Sequence, residues 1–275
     1  FTRSFGDNDP EVSYAGPLAV LVNRTSASAS EIFAGAIQDY QRGIVLGGQT
    51  FGKGTVQEII PLDYGQVKLT RSKFYRISGA STQHRGVVPD IQFPDFYDAY
   101  EDIGESSLDG ALPWDTVRPV EYRAYHSIQA MLPELQALHE ERAEASPDFI
   151  YLMDQIQRTR EIREREQLSL NESVVKARRE ESRRTEFDAE NMRRFLKGLS
   201  LREWVEETDE ESSEEESTTP DNDDVFVADS DAETDAEEEE EEGDPLLLES
   251  GRILADFIAL NQPRGFSVDD IQTDR

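Results

Sequence analysis

Leu18-Ala19-Val20-Leu21-Val22-Asn23-Arg24-Thr25-Ser26-Ala27-Ser28-Ala29-Ser30-Glu31-Ile32-Phe33-Ala34-Gly35-Ala36-Ile37 changes its hydrophobic pattern half-way along. The first six residues form an apolar, strand-like run, the stretch from Glu31 has helical character, and small Ser and Ala side chains join the two. The order is therefore strand, tight turn, helix. The first N–H groups of a helix have no internal partners and can hold an anion. A serine at such a turn exposes its hydroxyl beside the next residue's N–H, as in a nucleophile elbow. The same serines suit helix capping equally well, so this segment alone leaves both readings open.

The second informative stretch is Phe51-Gly52-Lys53-Gly54-Thr55-Val56-Gln57. Two glycines permit close backbone approach around Lys53, and Val56 to Ile60 reads as a strand. If the extended conformation begins at Lys53, alternation puts Lys53, Thr55 and Gln57 on one face, and Gln57 can orient the amine. A lysine is a poor base at neutral pH unless burial lowers its pKa. A loop lysine or a phosphate contact is the other reading of Gly-Lys-Gly. The Gly-x-x-x-x-Gly-Lys-Ser/Thr pattern of a P-loop is absent.

Taken together, Ser-Ala-Ser-Ala-Ser-Glu-Ile-Phe and Phe-Gly-Lys-Gly-Thr-Val-Gln resemble the carboxy-terminal processing, or tail-specific, proteases. Gln38-Asp39-Tyr40, Lys73-Phe74-Tyr75-Arg76, Gly79-Ala80-Ser81-Thr82-Gln83 and Gly86-Val87-Val88-Pro89-Asp90 extend the likeness. It is specific over about residues 14 to 95 and weaker beyond. The resemblance implies a catalytic dyad of Ser28 and Lys53 with Gln57 in support, and the Ala29 N–H as one oxyanion donor. It places the other donor in an upstream glycine-rich loop that this chain does not contain. The implied fold is α/β: the second half of a Clp-protease and crotonase-like serine protease core, followed by a mainly helical C-terminal extension with a disordered acidic linker. The chain is accordingly expected to be a C-terminal fragment without the PDZ module, inactive by itself.

Other chemistries have fewer candidates. His84, His126 and His139 all fall outside the two motifs and cysteine is absent, which leaves Ser-His and Cys-His schemes little to work with. No nucleotide motif or metal cluster is evident, so neither a cofactor nor a metal is expected. Asp39, eleven residues after Ser28, and Glu31, in the first helical turn near the positive end of the dipole, are both assigned structural roles.

Charge divides the chain. Residues 1 to 100 hold 9 Lys+Arg and 10 Asp+Glu, whereas the remaining 175 hold 19 and 49, so nearly all of the net charge of −31 lies downstream. Val205 to Asp244 holds 22 acids and no base, too little apolar surface to offset chain entropy. Such acidity argues against nucleic acid as a partner. The expected organisation is a protease half over 1–100, a helical extension over 101–204, the acidic linker 205–244, a docking helix over 245–262 and a flexible tail over 263–275. Within the extension the spacing predicts helices over Tyr122–Ala143, Asp148–Gln167 and from Asn171 to about Lys197.

The tail resembles that of the long periplasmic branch. It implies a bacterial serine endopeptidase that processes or degrades proteins from exposed C-termini in the periplasm. An adaptor protein and membrane association of the full-length protein remain open as further partners. Two alternatives stand beside this: a catalytically silent binding or scaffold relative, and a crotonase-like acyl-transfer enzyme. Intact Ser28, Lys53 and Gln57 count against the first, and the dyad against the second.

Overall fold

A computed structural model of the chain describes residues 6, 9, 11–100, 103–165, 167, 169–205 and 243–261. The architecture is mixed α/β with a mainly helical C-terminal part. The expected acidic linker and the tail over 263–275 lie, apart from Val205, Gly243 and Asp244, outside the described residues.

The opening stretch folds as β1 (Ala19–Val22), a serine turn and α1 (Ala29–Asp39), which leads to β2 (Ile44–Gly47). Strands β1 and β2 are parallel, with Ala19 opposite Ile44 and Val22 opposite Gly47. A third parallel strand, β5 (Ile91–Gln92), pairs with the far side of β2, giving the order β1-β2-β5. The unbroken apolar run of β2 suits a central parallel strand covered on both faces. Ile44, Val45 and Leu46 are indeed fully buried. Ala34 of α1 closes on the sheet with Val22, Val45 and Val87, and Val20 and Ile37 pack at the margin.

Between β2 and β5 the chain makes an antiparallel hairpin of β3 (Thr55–Pro61) and β4 (Gln66–Lys73). Its register slips between Val56 and Gln57. The hairpin is exposed over most of its length, including Val56, Ile59, Val67 and Leu69, and Leu21, Ile32 and Phe33 are exposed on β1 and α1.

The described chain groups into two compact units. The first runs to Glu140 and takes in Glu249 onward; the second is Glu141–Leu248. This differs from the division at residue 100 expected from composition, because residues beyond 100 return to the sheet-bearing unit. Glu105 donates its N–H to Phe51 O at 2.9 Å, and Ala80 bridges Thr116.

Helix α2 (Ile128–Ala145), most of which lies in the first unit, starts six residues later than its periodicity suggests. Tyr122 packs edge-on to Tyr40, with ring centroids 5.6 Å apart, and the Tyr125 N–H donates to Tyr40 O. These contacts hold the preceding residues against Tyr40, outside the helix. Ile128, Leu135 and His139 of α2 are buried, as are Glu249, Ile253 and Phe257 of α5 (Pro245–Asn261). His139 Nδ1 and Glu249 Oε1 lie 3.0 Å apart and join the two helices.

The second unit contains α3 (Pro147–Arg163) and α4 (Glu172–Lys197). Ser146 caps α3 with Pro147 in its first turn, Asn171 caps α4, and Gly198 ends it at φ 74°. Asp148 receives hydrogen bonds from Arg193 Nε (2.7 Å) and Lys197 Nζ (2.9 Å), which fastens the start of α3 to the end of α4.

Candidate active site

The serine turn is built by Asn23. Its side-chain carbonyl accepts from the Thr25 N–H (3.2 Å) and hydroxyl (2.8 Å), while its main-chain carbonyl accepts from the Ser26 N–H (3.0 Å). Such Asx geometry turns a chain at the end of a strand. Two residues on, Ser28 occupies the N-cap of α1 with φ 57° and ψ −108°. A non-glycine residue held there stores roughly 1–3 kcal/mol of strain and persists only when its surroundings over-determine it. Among the described residues the Ala29 N–H has no acceptor, so it is available to an incoming anion.

The lysine turn is held residue by residue. Glu31 Oε1 accepts from the Gly52 N–H (2.7 Å), Glu31 Oε2 from the Lys53 N–H (2.9 Å), and Gln83 Oε1 from the Gly54 N–H (2.9 Å). The carbonyls are also engaged: Phe51 O by Glu105, Gly52 O by His84 and Gly54 O by Phe74. Both glycines are required sterically. A Cβ on Gly52 would lie 2.8 Å from the His84 carbonyl carbon, at a φ of 94°, and one on Gly54 would lie 2.6 Å from the Gln83 nitrogen.

Glu31 links the two turns. Besides Gly52 and Lys53, its carboxylate accepts from the Ser28 N–H (2.8 Å, to Oε2) and the Thr50 hydroxyl (2.6 Å, to Oε1). One oxygen therefore receives both the Ser28 and the Lys53 main-chain N–H. The carboxylate is fully buried, and four donors compensate its desolvation. Thr50, also fully buried, accepts in turn from the Val87 N–H at 2.7 Å. The Ser28-x-x-Glu31 spacing of a capping box was visible in the sequence. The reach to residues 50–53 was not, because nothing local encodes it.

The side chains of the predicted site are not all joined. Among the described residues no hydrogen bond links Lys53 Nζ to Ser28 Oγ, and Gln57 Nε2 faces Thr70 Oγ1 at 3.5 Å instead of the amine. Strand β3 starts at Thr55, so Lys53 stands before the alternation that was expected to align it with Gln57. Thr55 is buried and Gln57 exposed. His84 lies outside both motifs in sequence, yet its N–H donates to Gly52 O at 2.8 Å.

Asp39 takes a bidentate pair from Arg76, Nε to Oδ2 at 2.9 Å and Nη2 to Oδ1 at 2.6 Å, and Arg76 Nη2 also reaches Gln38 Oε1 (2.7 Å). Gln38 continues to Val88 O and Asp90 Oδ1. Burial pushes the Asp90 carboxyl above its ordinary range, against the pull of the Val45 N–H, the Gln38 amide and the Arg76 charge. This network ties the end of α1 to β2 and to the residues after β4.

The part bearing both turns matches peptidase family S41 over residues 2–93. Residues 99–259, more than half of the chain, match the C-terminal domain of tail-specific protease. The chain belongs to the tail-specific protease family. It is 41% identical over 212 residues to the tail-specific protease of Haemophilus influenzae, covering 73% of this chain and 29% of that protein. Against the carboxy-terminal-processing protease of Bartonella bacilliformis it is 49% identical over 100 residues, or 34% of this chain and 23% of that one. The chain thus spans less than a third of the length of either relative. A solved photosystem II D1 C-terminal processing protease is 45% identical over 29% of this chain and 21% of its own, with a TM-score of 0.28.

The Haemophilus influenzae and Bartonella bacilliformis relatives are both named as proteases. Among the described residues there is no group of three or more His, Cys, Asp or Glu that could hold a metal ion. No helix among them is long and apolar enough to cross a membrane.

Proposed function

We propose that this chain supplies the serine and lysine of a tail-specific protease site, with Ser28 as nucleophile and Lys53 as general base. The observation that carries the reading is the shared Glu31 oxygen, which holds the main chain of both residues although they are 25 positions apart. In the reaction, the neutral Lys53 amine takes the Ser28 hydroxyl proton as Oγ attacks the scissile carbonyl carbon. The negative charge that develops on the carbonyl oxygen is met by the Ala29 N–H. The Lys53 ammonium then gives its proton to the departing amine as the C–N bond breaks, and water attacks the resulting ester in the same way.

Gln57 is assigned to steady the amine, which requires its side chain to leave Thr70 once substrate is bound. Catalytic contacts commonly tighten only in the substrate complex. The substrates are proteins with exposed C-termini and the compartment is the bacterial periplasm; the family resemblance supports both. The core is proposed to be of the Clp-protease and crotonase type, which the β1-α1-β2 parallel unit supports. By itself the chain is proposed to be inactive, because a second oxyanion donor and a substrate groove come from elsewhere in the complete protein. An adaptor protein and membrane association stay open as further partners of that complete protein.

The test uses the complete protein that carries this chain and a set of peptides with apolar free C-termini. Ser28→Ala and Lys53→Ala are each expected to lower kcat by about 10²–10⁴-fold. Full activity in either variant refutes the assignment.

A further inference from the structure

We propose that the segment from Gly104 to Thr116, at the head of the C-terminal domain, is a strap that positions the lysine turn, with Glu105 as its positioning residue; this rests on the reading of Lys53 as the base. The two family matches meet just before this segment, one ending at residue 93 and the other beginning at 99. The strap therefore comes from the C-terminal domain, while everything it grips belongs to the peptidase part.

The contacts form a relay. Glu105 Oε1 accepts from Gln83 Nε2 at 2.9 Å, and the other end of that amide, Oε1, accepts from the Gly54 N–H at 2.9 Å. Gln83 is 0% exposed and Glu105 8%, so neither can exchange its partner for water. The Glu105 main chain makes a second attachment on the other side of Lys53, donating its N–H to Phe51 O at 2.9 Å. Glu105 thus reaches the lysine turn both before and after the base.

The rest of the strap is anchored to the same peptidase segment. Trp114 Nε1 donates to Ser81 O at 2.9 Å, and the Arg85 guanidinium lies 3.7 Å from the centre of the Trp114 ring. Asp115 accepts from Lys73 Nζ (3.0 Å) and the Tyr75 hydroxyl (3.1 Å), and its carbonyl accepts from the Ser81 N–H. These bonds fix residues 81–85, and Gln83 and His84 are the residues against which Gly52 and Gly54 are packed.

The chemical consequence follows from the Gln83 amide. Its two ends are satisfied only in one orientation, oxygen to Gly54 and nitrogen to Glu105. Removing the Glu105 acceptor leaves a buried N–H₂ without a partner and removes the reason for that orientation. Glu31 would still hold Gly52 and Lys53, and Phe74 the Gly54 carbonyl, but the Gly54 N–H would lose the oriented acceptor that fixes it just after Lys53. A misplacement of about 1 Å at a catalytic group can cost on the order of 10²-fold in rate.

The experiment uses the complete protein, a peptide with an apolar free C-terminus, and a fluorophosphonate that titrates reactive serine, so that kcat is expressed per labelled site. Glu105→Ala is expected to lower kcat about 10- to 100-fold with KM changed by no more than about threefold. Glu105→Gln keeps an oxygen acceptor for Gln83 and is expected to restore most of that loss. Trp114→Phe keeps an aromatic face for Arg85 but drops the bond to Ser81 O, and is expected to lower kcat at least about threefold at unchanged KM. A wild-type kcat per labelled site in Glu105→Ala overturns the proposal. If that variant yields no labelled protein, a wild-type kcat in Trp114→Phe overturns it. Lys53→Ala, with kcat expressed per folded protein, keeps the two questions apart: full activity there removes the base assignment, whatever Glu105 does.

Discussion

Glu31 carries more of the site than its position in the first helical turn suggests. A carboxylate that accepts from Ser28, Thr50, Gly52 and Lys53 can be replaced isosterically by an amide only at the expense of two of those donors. Each buried donor left without a partner costs about 1–3 kcal/mol. Glu31→Gln in the complete protein is therefore expected to lose roughly 2–6 kcal/mol of stability by urea unfolding, and to lose kcat beyond what the unfolded fraction explains. Stability within about 0.5 kcal/mol of the parent would show that the carboxylate is not the tie between the turns. His84 provides the complementary check. It touches the lysine turn through its main chain, so His84→Gln is expected to retain kcat within about threefold, since a lost general base would show about 10²–10⁴-fold. A loss as large as that of Lys53→Ala would move the base to the histidine.

At this scale the sequence was legible in part. The strand-turn-helix change of period around Ser28 and the glycines beside Lys53 have local signatures, and the structure has a turn before Ser28 and close backbone approaches at Gly52 and Gly54. The alignment of Lys53 with Gln57 depended on where β3 begins, a boundary that tertiary contacts decide. Thr50, Gln83 and Glu105 went unread as site residues because their partners are 19 to 37 residues away in sequence. A threonine, a glutamine and a glutamate have no periodic signal.

Among the elements, β2 and the α3–α4 pair lend themselves to separate tests. Leu46 is fully buried in the central strand, so Leu46→Ala is expected to cost about 2–5 kcal/mol in urea unfolding. In the second unit, burial pushes the Asp148 carboxyl up, but the Lys197 and Arg193 cations outweigh it and bring it below its ordinary value of 3.8. A depressed folded value means that the unfolded chain binds the proton first as pH falls. The contribution is therefore complete above about pH 4, the unfolded value, and is lost as pH drops through the lower folded one. Asp148→Asn is expected to cost about 1 kcal/mol at neutral pH, since the group is partly solvated, and to flatten the acid limb of α3–α4 unfolding followed by circular dichroism. An unchanged acid limb would remove Asp148 from that role. Asp90 has the opposite sign: its raised value makes its charge unfavourable to the first unit above the folded pKa, and that penalty lifts on acidification.

Across the whole molecule, the chain's order and its spatial grouping diverge. Composition marks residue 100 as a boundary, because charge changes there. The contacts instead carry the sheet-bearing unit on to Glu140 and bring back the helix from Glu249. Apolar periodicity located that last helix, whereas its buried His139–Glu249 partner bond crosses 110 residues and has no local trace. The family's C-terminal domain is accordingly more than an appendage to the peptidase part: its first residues hold Gln83, and its last helix buries Phe257 in the same unit.

The proposed activation of Ser28 by Lys53 should show in the reactivity of the serine itself. Its most direct measurement is fluorophosphonate labelling of the complete protein, with the modified residue located by peptide mass spectrometry. The label is expected on Ser28; Lys53→Ala is expected to abolish it while the protein stays folded, and His84→Gln to leave it in place. A label on another serine, or undiminished labelling of Ser28 in folded Lys53→Ala, would contradict it.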